Sequence, residues 1–313
     1  MAKTRVLRRR IRSIESTRKI TRTMEMVATS KLKRAQDRVV AARPYAQALA
    51  AAIADLLTPE LAERYALLRP PAPPSRGGPR RAAVLLLTSN RGLAGAFNAN
   101  LIKTARARIE ELEAKGYEVE LHAVGKKGIR AFQFARRALA TSRTDIGDVP
   151  SAAHAIELVE PLMRGYEAGR LASVDVVYAN FKSALSTPPA VMRVLPVEAG
   201  KRDGAKAVTE TERGAAGHTA LPPHRLTAHY ILKPSADEIL TSLLPLYVRN
   251  QVYRALVETA ASEQGARRTA MKNATDNAGE LLEILRRTYN RARQAQITQE
   301  LAEIVGGAEA LKG

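Results

Sequence analysis

The stretch PSADEILTSLLPLYVRNQVYRALVETAASEQGARRTAMKNATDNAGELLEILRRTYNRARQAQITQELAEIV, residues 234–305, decides the fold. Apolar or small residues recur through it at steps of three and four. They run Ile239, Leu243, Leu246, then Tyr253, Leu256, Ala260, then Met271, Ala274, Ala278, Leu281, Leu285, Ala292, and last Ile297, Leu301, Ile304. That is the period of one helix face. Read as a single helix of roughly 70 residues, it spans about 105 Å at 1.5 Å per residue. A helical pattern of this length suggests a coiled coil, a membrane span or a helical repeat. Charges interrupt it throughout, which excludes a span. It needs a partner helix. Ser235 at its start and Glu238 three residues later have the capping-box spacing.

The partner stands at the other end of the chain. From Lys3 to about Leu57 the pattern is again helical, with Leu7, Ile11, Ile14, Thr17, Ile20, Met24, Ala28, Leu32, Ala35, Val39 and Ala42 at three- and four-residue steps. Its one proline, Pro44, bends such a helix rather than ending the pattern. The expected fold is therefore α/β plus a long antiparallel coiled coil, with a central Rossmann-like α/β domain carried at one end. Four parts follow: an N-terminal coiled-coil helix at 1–69, a Pro-rich linker at 70–81, the α/β domain at 82–232 and a C-terminal coiled-coil helix at 233–313. The seam uses Ala, Thr and Met as much as Leu and Ile, and small residues bury little area. Such a rod belongs inside something larger.

Between the helices the pattern changes. Residues 82–87 form a continuous apolar run, as in a strand buried on both faces. A Gly-containing turn at 88–95 and a helix at 96–114 follow. Then come a strand at 117–124, a Gly-bounded basic turn at 125–128, a helix at 129–139, a helix at 151–168, and strands at 174–181 and 191–197. This alternation argues a parallel or mixed sheet flanked by helices. Residues 198–225 lack periodicity and read as a loop insertion; residues 226–232 alternate like an edge strand.

The chain of 313 residues carries a net charge of +19. Residues 1–43 hold fourteen Lys or Arg against three acids, Glu15, Glu25 and Asp37. Such a balance points to an acidic partner: nucleic acid, an anionic surface or an acidic protein. The plainer reading is a solvated helix face. There is no cysteine, which removes disulfides, thiolate metal sites and thiol nucleophiles. The five histidines (122, 154, 218, 224, 229) have no ligand spacing. The turn at 90–95 resembles a phosphate cradle but lacks the Gly-Lys-Ser/Thr ending of a P-loop and the dinucleotide spacing. No constellation supports catalysis. Nucleic-acid binding by a basic coiled coil is the alternative. It is weakened by the absence of any aromatic residue in 1–44, since single strands stack on aromatics.

Five stretches then become specific. ITRTMEMVATSKL at 20–32 closely resembles the N-terminal helix of the gamma subunit of F-type ATP synthases, bacterial type. ARQAQITQELAEIVGGA at 292–308 resembles that family's C-terminal signature. SEQ at 262–264, MKNATDNA at 271–278 and TSNRGLAG at 88–95 are similar as well. The resemblance runs through nearly the whole chain in order. It implies a central rotor stalk, non-catalytic and without cofactor or metal, passing torque between a c ring and a ring of alpha and beta subunits. The epsilon subunit shares the foot, and the whole lies peripherally on the cytoplasmic face of the bacterial inner membrane. Carried over by position, Met24, Arg293, Gln294, Thr298 and Glu300 face the beta subunits, and Tyr230 and Lys233 lie at the c-ring foot. Three departures stand out. Lys233 takes the place of a common Glu, Asn90 of an Asp, and Ala94 of a Cys.

Overall fold

The computed structural model describes residues 2–56, 63–69, 80–197 and 236–310. In chain order the elements are α1 (Ala2–Leu56), β1 (Arg80–Leu87), α2 (Phe97–Ala114), β2 (Tyr117–Val124), α3 (Lys126–Phe134), β3 (Thr141–Arg143), α4 (Ala152–Glu167), β4 (Ser173–Ala179), β5 (Pro189–Leu195) and α5 (Ala236–Ala310). The long stretch is indeed one helix, 75 residues without a break, although Pro245 lies inside it. α1 likewise continues through Pro44, which sits on its solvent side.

The two helices run antiparallel. Thr4 meets Gln296, Arg8 meets Tyr289, Glu15 meets Arg286 and Thr21 meets Thr275, so α5 numbers fall as α1 numbers rise. The Thr21–Thr275 hydroxyl pair, 2.8 Å apart, is buried in the seam. The buried residues fall at steps of seven, four and three, as a heptad seam of about 3.5 residues per turn requires: Thr21, Ala28, Leu32, Ala35 and Val39 on α1, and Met271, Thr275, Ala278 and Leu282 on α5. This corrects the expected seam by one residue in places. Leu282 is 2 % exposed whereas Leu281 is 44 % exposed, and Leu244 is buried where Leu246 is not. Thr17, Ile20 and Ile297 also face solvent. The reason is physical: neighbouring apolar residues satisfy the same period, and only the partner surface chooses between them.

The sheet order is β3-β2-β1-β4-β5, parallel throughout except for β5, which runs antiparallel to β4. β1 is buried on both faces, as its unbroken apolar run implied. Ala82, Val84 and Leu86 join a core with Leu101, Ala105 and Phe132 from α2 and α3. Ala83, Leu85 and Leu87 turn to the other side, where α4 supplies Val159 and Leu162 and the rod supplies Leu49, Ile53, Leu244 and Val248. The rod is thus part of the domain's own core. Each large aliphatic side chain so buried contributes about 1.5–3 kcal/mol. A polar clasp adds to this. Asp175 on β4, fully buried, accepts from Arg108 of α2 at 2.7 and 2.9 Å and from Arg193 of β5 at 3.1 Å.

Some boundaries differ from expectation. α3 begins at Lys126, not 129, and ends at Phe134, not 139. Gly125 takes φ +95°, and a Cβ there would lie 2.1 Å from the Thr88 carbonyl oxygen, so the turn is completed in one glycine. Arg136 at φ 53° lies just beyond the helix end. The short β3 was not expected. Residues 65–69, expected to continue the N-terminal helix, form turns docked on the domain. Val197 N donates to Leu67 O at 2.8 Å and the Tyr166 hydroxyl to Arg69 O at 2.7 Å. β1 starts at Arg80, two residues inside the expected linker. The loop at 198–225, the strand at 226–232, the Ser235 cap, and Tyr230 and Lys233 lie outside the described residues.

Candidate functional site

An open α/β sheet offers ligands a crevice at the carboxyl ends of its strands, where the strand order reverses. Here that point lies between β1 and β4. α5 occupies it. Ala179 N donates to Thr259 Oγ1 at 3.3 Å, Ser262 Oγ donates to Ala179 O at 3.2 Å, and Phe181 N donates to Glu258 Oε2 at 3.3 Å. The backbone groups at the end of β4 are met by the rod.

The neighbouring turn is equally self-contained. A phosphate needs free N–H groups at a helix N-terminus. At the start of α3, Lys126 N is taken by Asn90 Oδ1 at 3.1 Å, Lys127 N by Ser89 O at 3.2 Å and Gly128 N by Thr88 Oγ1 at 3.0 Å. Thr88–Ser89–Asn90 is therefore a structural turn. What remains is a cavity of about 350 Å³ lined by Asn90, Arg91, Lys126, Asp148, Thr259 and Glu263. Burial pushes the Glu263 carboxyl above its ordinary value, against the pull of Arg267, to which it is bonded. The described histidines have structural partners. His154 closes a reciprocal cap with Ser151, and His122 Nδ1 lies 2.8 Å from Thr141 Oγ1.

The other surface of interest is the rod. Met24 is half-buried on α1; Arg293, Gln294, Thr298 and Glu300 are exposed on α5. Thr298 Oγ1 donates to Gln294 O at 3.0 Å and Gln296 Nε2 donates to Glu300 Oε1 at 2.8 Å. The structure does not bring Met24 together with the other four. With Thr21 opposite Thr275, Met24 stands about 30 Å along the rod from Arg293. They form two zones at different heights. Beyond Gln296, α5 outruns α1, and Ile297, Leu301, Ile304 and Val305 are all exposed along one strip. Many bases of α1 also lack an ion-pair partner among the described residues, including Arg9, Arg10, Arg12, Lys19 and Arg22, all exposed. Arg8 is held by the Tyr289 hydroxyl at 2.6 Å and Lys31 by Asp148 at 2.5 Å.

Several exposed apolar residues were not singled out from the sequence. Met26 and Val27 lie beside Met24, and Ile284 lies on α5. Leu185 and Phe134, 85 % and 91 % exposed, stand on the α/β domain. A heptad count started from the Thr21–Thr275 pair would have placed the first three outside the seam; no pattern marks the last two.

A family model described as ATP synthase matches residues 3–311. The ATP synthase gamma chain of Gemmatimonas aurantiaca is 59 % identical over 313 residues, covering all of both chains. That of Leptospira biflexa is 40 % identical over 312 residues, 99 % of this chain and 100 % of the relative. Among solved structures, a chain of the Euglena gracilis mitochondrial ATP synthase OSCP/F1/c-ring assembly aligns at TM-score 0.65 and 20 % identity, covering 99 % of this chain and 95 % of that one. A chain of the Tetrahymena thermophila mitochondrial ATP synthase central stalk/c-ring aligns at TM-score 0.53 and 22 % identity, over 82 % of this chain and 99 % of that one. These two share the fold.

Proposed function

The chain belongs to the ATP synthase gamma chain family, and from that premise we propose that it is the central rotor stalk of a proton-translocating F-type ATP synthase. One observation carries the reading: a 75-residue helix, paired with α1 over much of its length, is built into the core of the α/β domain at one end and projects bare at the other. Such an object can pass twist from a base to a distant site. The alternative, nucleic-acid binding, gains no support from the relatives matched.

In this reading the domain is the foot, standing with the epsilon subunit on a membrane-embedded c ring, with Tyr230 and Lys233 on the c-ring side. The apolar strip from Ile297 to Val305 turns inside the top of the alpha/beta ring. Arg293, Gln294, Thr298 and Glu300 engage beta-subunit loops near the tip, and Met24 engages them lower down. The unpaired bases of α1 supply a positive surface for acidic beta-subunit segments, and long-range attraction of this kind sets orientation and rate more than affinity. The chain performs no chemistry itself. No helix among the described residues is long and apolar enough to cross a membrane, which suits a peripheral subunit on the cytoplasmic face of a bacterial inner membrane.

The test is co-expression with the alpha, beta and epsilon subunits of the same genome, purifying through beta. One copy of this chain per three beta subunits, with ATPase activity that collapses on removal of 292–313, is the expected result. A purified ring lacking the chain would overturn the proposal.

A further inference from the structure

One cluster of side chains ties the turn after β1 to α1. The stretch 144–148, the first part of the connection from β3 to α4, lines the 350 Å³ cavity. Asn90 holds this loop from the β1–α2 turn. Its Nδ2 donates to the carbonyls of Thr144 and Ile146, both at 2.9 Å, while its Oδ1 accepts from Lys126 N at 3.1 Å. An amide alone can do this, because an aspartate would set carboxylate oxygens against both carbonyls. At the loop's far end Asp148 reaches across to α1. Its Oδ2 lies 2.5 Å from Lys31 Nζ, and its carbonyl accepts from Arg38 Nη1 at 3.5 Å. Lys31 and Arg38 stand seven residues apart, two turns along one face of α1.

The two rod helices are fastened to the domain in different ways. α5 is bonded at several heights, through Arg249 to Glu160 at 3.0 Å and through Thr259 and Ser262 to the end of β4. α1 has apolar contacts: Leu49 and Ile53 in the main core, and Leu32, Ala35 and Val39 around Phe181. Apolar packing is non-directional. Among the described residues, Lys31–Asp148 is the one ion pair that joins α1 to the α/β domain. Twist entering the domain therefore reaches α5 through directional bonds at several heights, whereas among the described residues α1 is bonded directly to the α/β domain only at Asp148 and is otherwise tied to it through α5.

We propose that Asp148, aimed by Asn90, is a positioning residue that clamps α1 to the α/β domain through Lys31 and Arg38, so that both rod helices turn as one. This rests on the rotor-stalk reading. A rod fastened to its base less firmly at one helix than at the other loses part of each step as shear between the helices. The clamp is placed to prevent that.

The experiment uses the complete enzyme in proton-tight vesicles and reads protons pumped per ATP hydrolysed. Asp148→Lys is expected to lower this ratio in part without abolishing it, because the pair is about one-third exposed and such pairs are weak. Lys31→Asp is expected to do the same, and the double exchange to restore it. Asn90→Asp, which leaves the ion pair's own residues intact, is expected to lower the ratio in the same direction. Should Asp148→Lys not assemble, Asp148→Asn removes the charge at nearly constant shape and carries the same expectation. A ratio unchanged in the single variants, or a loss that the double exchange does not restore, would overturn the clamp. Failure of the unaltered chain to enter the enzyme would instead overturn the rotor-stalk reading.

Discussion

Leu281 and Leu282 are neighbours of identical chemistry, one outside the seam and one within it, and truncating each in turn tests the register of the rod. Leu282 is 2 % exposed and faces α1, so Leu282→Ala removes nearly a full complement of contacts. Buried Leu→Ala changes cost about 2.7–5 kcal/mol, rising with the cavity left behind. A two-helix seam opens to solvent on both flanks and can close over the gap, so the low end applies, about 2.7 kcal/mol. Leu281 is already 44 % exposed and leaves no enclosed cavity, so Leu281→Ala should cost only about 0.5 kcal/mol. The readout is native-state hydrogen exchange of α5 amides around Ala278–Leu285, where local opening rather than global unfolding governs the rate. At 1.36 kcal/mol per factor of ten, Leu282→Ala should speed exchange about 100-fold and Leu281→Ala about twofold. If Leu281→Ala were the larger effect, the seam would be set one residue off and the Thr21–Thr275 pairing would fall with it.

Asp175→Asn leaves the Arg108 and Arg193 guanidinium groups without their shared carboxylate; the domain should lose about 3 kcal/mol in urea unfolding, and a loss below about 1 kcal/mol would deny the clasp its role. Gly125→Ala must place a methyl group 2.1 Å from the Thr88 oxygen, whereas Gly116→Ala, at φ +80° with nothing within 4 Å, meets only the left-handed backbone penalty of about 1–2 kcal/mol. Expression and melting temperature should therefore fail at Gly125 and fall modestly at Gly116. Burial pushes the His122 imidazole below its ordinary value near 6.5, so the neutral ring's contribution is complete above that pH and is lost as pH falls below it. Compared with His122→Gln, the unaltered chain should lose melting temperature on going from pH 8 to pH 5; parallel curves would refute this.

The two long helices were readable because a period of three and four persists through each, and β1 because only a strand covered on both faces tolerates six apolar residues in a row. The register was not readable. Leu281-Leu282 and Leu243-Leu244 each offer two candidates that a helical period accepts alike, and Thr21 displaced Ile20 through a hydroxyl pair with a residue 254 positions away. The filling of the crevice was hidden for another reason: Thr259 and Ser262 look in sequence like any small helix residues, and only the fold sets them against the end of β4. Likewise Asn90, Asp148 and Lys31 are polar and far apart in the chain, and side chains of that kind leave no periodic trace. The basic surface of α1 was legible as a demand for an acidic partner, though which bases stay unpaired depended on the neighbours that the fold brings near.

The heptad spacing of the seam also has a mechanical consequence. Buried positions repeating every 3.5 residues lag behind the 3.6 of a straight helix, so α1 and α5 wind about each other as a left-handed rope. A rope has a sense. Turning its free end one way closes the strands on each other and compresses the Ala and Thr contacts of the seam; turning it the other way parts them. The rod therefore yields more to torque of one sign than of the other, and the softer direction is written into the handedness of its winding.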